Sequence, residues 1–136
     1  MSIPAGYSGR PLAAKLGITE GHRVLLDGGP PGVDLGPLPP GCAVHLRARA
    51  SSYDVAVLFA RDRARLERRW EAVSGRLGPA QRLWVAWPKR SSGLQTDLDE
   101  NLVRDHGLTH GRVDIKVCAV DATWSGLCFV VRLRDR

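Results

Sequence analysis

Between Asp54 and Trp87 the chain spells out a buried strand, an amphipathic helix and a second buried strand, and few folds accept that order. Residues 54–60 (DVAVLFA) are apolar almost without a break, the pattern of a strand covered on both faces. Asp62 follows at the N-cap of residues 63–77 (RARLERRWEAVSGRL), where Leu66, Trp70, Val73 and Leu77 recur at spacings of four, three and four. Those spacings make one apolar stripe, and Gly78-Pro79 end the helix. Residues 82–90 (RLWVAWPKR) supply the second strand, with Trp84 and Trp87 assigned to one face of it. A strand–helix–strand unit of this length calls for a parallel pair and a right-handed crossover. The expected class is α/β and Rossmann-like, with a mainly parallel twisted sheet and helices on both faces.

The flanking segments extend that sheet. Pro11 sits in the first turn of a short helix (PLAAKL), which Gly17 caps. A first strand is expected over residues 22–26. The fourteen residues after it (DGGPPGVDLGPLPP) hold five prolines and four glycines, so at most one helical turn fits there. The second strand is expected over residues 42–46. About seven residues then precede the strand at 54–60, too few for a helical crossover, so one βα unit is missing. Thr96 or Asp97 is expected to cap a helix over residues 97–107, with Gly107 and Gly111 breaking it. Residues 113–121 and 125–134 are strands whose short connection makes a C-terminal antiparallel hairpin.

A chain of 136 residues with 43% hydrophobic and 25% charged positions fits one globular domain spanning residues 1–136. Its apolar runs fall well short of the roughly 20 residues that span a bilayer, and its start lacks the pattern of a signal peptide. The expectation is a cytoplasmic protein with no membrane partner. Cys42, Cys118 and Cys128 lie in strand-like segments without a C-x-x-C pair, and the histidines are scattered, so reduced thiols and no metal site are expected. Twenty basic against fourteen acidic residues give a net charge of +6, which admits nucleic-acid binding on electrostatic grounds. The alternation of signs in RDRARLERR instead reads as a solvated helix face.

Two resemblances are carried by particular residues. Residues 16–32 (LGITEGHRVLLDGGPPG) resemble the opening of class I S-adenosylmethionine-dependent methyltransferases, LxxxxGxRVLDxGCGxG. Aligned on Gly28 and Gly32, the motif acid falls on Leu26 and the central glycine on Pro30, which offers no N–H and keeps the backbone from close approach. Where the resemblance implies a ribose-binding acid after the second strand, this chain has Arg47 and Arg49. The frame reads as a reduced methyltransferase-like topology with a degenerate cofactor turn. GYSGRPLAAKLG (residues 6–17), WPKRSSG (87–93) and VDIKVCAVDATWSGLCFVVR (113–132) are similar to a bacterial, mostly actinobacterial family of small proteins, domain of unknown function 3052. Its pattern runs GYSGTPLxxKLG, VLLxxAPPG, WPKxxSG and VKVCAxDxxWSGLxxVxR. That resemblance implies a stand-alone cytoplasmic domain, and because the family has Ala-Pro-Pro-Gly where this chain has Gly29-Pro30-Pro31-Gly32, it implies that the degenerate cofactor turn is a family trait.

In an open parallel sheet, ligands bind beyond the carboxyl ends of the strands. Four unusual segments fall there: Gly28, Gly29 and Gly32 after the first strand; Asp62 after DVAVLFA; Lys89, Arg90 and Ser92 after RLWVAW; and Asp121, Trp124 and Ser125 between the last two strands. Lys89 and Arg90 suit an anion or phosphate, or else a solvated strand-to-helix loop, and Trp124 reads either as a stacking face for a ring or, with Asp121 and Ser125, as part of a tight hairpin turn. Gly6, Tyr7, Ser8 and Gly9, before a helix start, read either as a plain capping segment or as N–H groups for an anion. A nucleophile elbow and paired carboxylates are missing from the sequence pattern. The expected function is a small binding or regulatory module whose ligand is an anionic or nucleotide-like small molecule, with no cofactor assigned. The alternatives are an active S-adenosylmethionine- or nucleotide-dependent transferase and an Arg-rich nucleic-acid-associated protein.

Overall fold

The computed structural model describes residues 10–136, so Gly6, Tyr7, Ser8 and Gly9 lie outside the described residues. Among the described residues, three α-helices pack on a six-stranded mixed sheet. In chain order the elements are α1 (Leu12–Leu16), β1 (Arg23–Asp27), β2 (Ala43–His45), β3 (Val55–Phe59), α2 (Arg63–Ser74), β4 (Arg82–Pro88), α3 (Glu100–Thr109), β5 (Val113–Ala119) and β6 (Trp124–Val130). A 3-10 turn at Arg90–Ser92 follows β4. The strand order is β2-β1-β3-β4-β6-β5. β1 pairs in parallel with both β2 and β3, and β3 pairs in parallel with β4. β6 runs antiparallel to both of its neighbours, β4 and β5.

Burial follows from alternation along the strands. On one face Val24, Leu26, Val57, Phe59, Trp84 and Cys128 pack beneath α1. On the other, Leu25, Leu58, Val85, Trp87, Leu127 and Phe129 meet Leu66, Trp70 and Val73 of α2 and Val103 of α3. Trp84 and Trp87 therefore lie on opposite faces, because they are three positions apart and a strand repeats every two. The Trp84 Nε1–H, fully buried, donates to the Leu16 carbonyl at 3.0 Å and ties α1 to the sheet. Burial raises the Cys118 thiol and pushes Cys128 up to about 12; both are free and buried.

The helix boundaries follow from caps. Asp62 Oδ1 accepts from the Arg65 N–H at 2.9 Å at the start of α2. Asp99, rather than Thr96 or Asp97, caps α3 by accepting from the Leu102 N–H at 2.8 Å. Thr96 and Asp97 serve other donors: Thr96 Oγ1 takes the Leu98 N–H, and Asp97 Oδ1 takes the Arg63 N–H at 2.8 Å. Gly107 does not break α3. It lies inside the helix, where an added Cβ would stand 2.1 Å from Cε1 of Phe129, so its role is close approach of the helix to β6. At the end of α3, His106 meets Trp70 edge-on at 4.8 Å and stacks on His110 at 4.1 Å. His106 Nε2 is buried without a partner among the described residues.

Two long connections cover the sheet without helices. Residues 28–42 run as turns and irregular chain, with Leu35 buried against the α1 face and its carbonyl accepting from the Ala13 N–H at 2.8 Å. Residues 46–54 carry the chain past β1, which lies between β2 and β3. Tyr53, 2% exposed, pins that crossing: its hydroxyl meets His45 Nδ1 at 2.7 Å and accepts from the N–H groups of Arg49 and Ala50. No helix among the described residues is long and apolar enough to cross a membrane.

Candidate functional site

The strand order reverses between β1 and β3, since the chain leaves β1 for β2 on one side and returns to β3 on the other. A cleft of about 470 Å³ opens at the carboxyl edge of this point. One wall is the turn after β1, contributed by Gly28, Pro30, Pro31 and Gly32. Phe59, Arg61 and Arg65, from the end of β3 and the first turns of α2, form its floor and side. The far wall is Asp121, Thr123 and Trp124 from the connection between β5 and β6, and Leu94 closes the rim. A second cleft of about 750 Å³ lies beyond Leu94, between Trp87, Arg90 and the loop that carries Thr96, Asp97 and Asp99.

The expected site residues divide between these clefts and their supports. Gly28, Gly32, Asp121 and Trp124 meet in the first cleft, whereas Asp62 and Arg90 line the second. Gly29 lies under the turn, with the Leu26 and Phe59 side chains 3.4–3.6 Å from where its Cβ would be. The Lys89 backbone N–H donates to the Thr123 carbonyl at 2.7 Å, joining the end of β4 to the far wall. Ser92 Oγ donates to the Lys89 carbonyl at 2.7 Å and accepts from the Leu94 N–H at 3.1 Å, which shapes the 3-10 turn. Ser125 is half-buried in β6, paired with Trp87 and Ala119. Asp121 Oδ1 accepts from the N–H groups of Thr123 and Trp124 at 2.8 and 2.9 Å, closing the connection. Trp124 is 8% exposed and meets Phe59 edge-to-face at 5.4 Å, so the pair forms an apolar base with little indole surface open.

The strongest polar feature at this edge was hidden in the sequence. The acid that ends β1 is Asp27, one position past Leu26, and it is 4% exposed. Arg69 grips it through two bonds, Nε to Oδ2 at 3.1 Å and Nη2 to Oδ1 at 2.9 Å. Arg65 Nη2 adds a third at 2.9 Å, while its Nε donates to the Phe59 carbonyl at 2.8 Å. The hydrogen bond to Asp27 raises the Arg69 pKa above its ordinary value. Gly28 makes room for this arrangement. Its φ is +73°, and a Cβ there would stand 2.2 Å from Arg65 Nη2. The signal available beforehand was the i, i+4 spacing of Arg65 and Arg69 on one side of the helix, opposite a lone acid at a strand end.

Electrostatically the two clefts differ. The second gathers the carboxylates of Asp62, Asp97 and Asp99 beside one guanidinium, Arg90. Asp62 and Asp97 also occupy N–H groups at the start of α2, so that helix end is already served. The first cleft sets Arg61 and Arg65 against Asp121. No cluster of three or more metal-ligating side chains occurs among the described residues. No protein-family model, curated protein or solved structure matches the chain.

Proposed function

We propose that this chain is a small binding or regulatory module on a reduced, methyltransferase-like Rossmann frame, and that its ligand occupies the 470 Å³ cleft. The observation that carries the reading is convergence. The turn after β1, the end of β3 and the connection between β5 and β6 meet at the point where strand order reverses, the usual ligand position in open α/β sheets. The volume lies within the range of about 300–1,000 Å³ typical of small-molecule sites. A parallel set of strands with a reversed last strand, β6, supports the methyltransferase-like frame. The resemblance of residues 6–17, 87–93 and 113–132 to domain of unknown function 3052 supports a stand-alone, cytoplasmic domain.

The cofactor turn is what separates this reading from an active S-adenosylmethionine-dependent transferase. Pro30 and Pro31 line the cleft where a ligand would need backbone N–H groups, and Asp27 has its carboxylate taken by two guanidinium groups. A nucleic-acid surface is disfavoured because several of the arginines are engaged within the fold. Arg65 and Arg69 hold Asp27, Arg76 holds the Ala50 carbonyl, and Arg104 holds Glu100 and Asp114.

The test is a thermal-shift panel of nucleotides, S-adenosylmethionine and coenzyme A, because a specific ligand raises the midpoint by mass action. The reading expects a stabilising ligand whose shift is lost in Pro31→Trp, which fills the first cleft. The shift should persist in Gln95→Trp at the second cleft. Retention of the shift in Pro31→Trp, or its loss only in Gln95→Trp, overturns the assignment.

A further inference from the structure

The sequence directs attention to Lys89 and Arg90 as anion holders, yet Lys89 braces the far wall through its backbone and Arg90 faces three carboxylates in the other cleft. The charge that could hold an anion in the first cleft lies elsewhere. Asp27, Arg65 and Arg69 form a triad of one carboxylate and two guanidinium groups, which leaves one positive charge in excess. Arg69 bonds both carboxylate oxygens while Arg65 shares only one of them, so the charge of Arg65 is the less fully compensated of the two. Arg65 is also the member that lines the cleft, with its side chain 27% exposed.

Charge in a partly buried place is stable only when it is paired. On this ground, and resting on the reading of the cleft as the ligand site, we infer that the ligand carries a phosphate group and that Arg65 and Arg61 hold it. The guanidinium of Arg65 is already fixed by its bonds to Phe59 and Asp27, while Nη1 makes no hydrogen bond among the described residues. A fork held on two sides loses little further freedom when an anion arrives, and its planar geometry matches phosphate oxygens. Arg61 stands exposed on the same wall and makes no ion pair among the described residues. Gly28 allows the approach, since any side chain there would strike Arg65. Asp27 is a positioning residue that aims Arg65 and does not itself meet the ligand.

The rest of the cleft constrains the body of the molecule. Phe59 and Trp124 supply an apolar base for a ring. Asp121 opposes any second anion at the far wall, where a hydroxyl or amino donor fits instead. The class is a phosphomonoester carrying one flat ring system, about the size of a mononucleotide.

Calorimetric titration of the full chain with adenosine 5′-monophosphate, adenosine and inorganic phosphate tests this. The monophosphate should bind at least tenfold more tightly than adenosine, and its affinity should fall with added salt. Arg65→Gln and Arg61→Gln should each weaken the monophosphate about tenfold to a hundredfold, the loss of one charge-assisted partner, and leave adenosine unchanged. Arg61→Gln alters an exposed side chain and keeps the test decisive if Arg65→Gln is destabilised. Equal affinity for monophosphate and adenosine, or a monophosphate affinity indifferent to both substitutions, overturns the phosphate inference and leaves the cleft reading standing. Failure of all three compounds to bind overturns the inference. The cleft reading falls with it only if every member of the thermal-shift panel also fails.

Discussion

Replacing Asp27 by asparagine keeps the shape at the end of β1 and removes its charge. The carboxylate is 4% exposed and accepts three hydrogen bonds from two guanidinium groups at 2.9–3.1 Å. Breaking a fully buried ion pair costs about 3–5 kcal/mol, because the partner charge is stranded. Here the partners are 27% and 29% exposed, so water takes up part of that loss and about 2–3 kcal/mol is the expected cost. For a domain of this size each kcal/mol lowers the melting midpoint by roughly 3–5 °C, so a fall of about 6–15 °C is expected. A small domain has about 5–15 kcal/mol to lose, so the variant remains folded. Urea unfolding followed by tryptophan fluorescence reads the change directly. Arg69→Met in the Asp27→Asn background should restore part of the stability, because it removes a stranded cation. A cost below about 0.5 kcal/mol for Asp27→Asn would refute the claim that this triad is a tightly coupled unit.

Burial and the neighbouring His110 lower the His106 pKa, against Glu67, which raises it, and Arg63, which lowers it further. The unfolded chain therefore binds a proton first, so wild-type stability should be full above about pH 6.5 and decline as pH falls through the window below it. His106→Leu should flatten that slope in thermal melts between pH 7 and 5; an unchanged slope would contradict it. Gly107→Ala should cost about 1–3 kcal/mol by overpacking against Phe129, measured by urea unfolding, and a neutral result would place the α3–β6 contact in error. Trp124→Ala should cost about 3–5 kcal/mol as a buried aromatic truncation, whereas Lys89→Ala, which leaves the backbone bond to Thr123 intact, should change stability by less than about 0.5 kcal/mol.

How far the sequence could be read depended on the range of the interactions involved. The apolar runs and the stripe of Leu66, Trp70 and Val73 marked β3, α2 and β4 to within a few residues, because strand and helix periodicity are local properties. Asp62 was legible as a cap for the same reason. The start of α3 was misplaced because Asp97 and Asp99 are both good caps, and only tertiary structure sends Asp97 to Arg63 of another helix. Gly107 looked like a breaker, since sequence alone does not reveal the Phe129 ring that demands a missing side chain. At the carboxyl edge, Gly28, Gly32, Asp121 and Trp124 were within reach through strand ends and turn residues. Asp27, Arg65 and Arg69 were not, because their meaning arises from a contact across about forty residues of chain. Aligning the turn on its glycines also drew attention to Leu26 and past its acidic neighbour.

The central claim, that the cleft between residues 28–32 and Trp124 is the ligand site, is tested most directly by amide chemical-shift mapping. Isotope-labelled protein would be titrated with adenosine 5′-monophosphate. The largest shifts are expected at Gly28, Gly32, Arg61, Arg65 and Thr123, with the indole N–H of Trp124 moving in step. Shifts centred instead on Arg90, Gln95 and Asp97, or on Arg47 and Arg49 beyond β2, would contradict it.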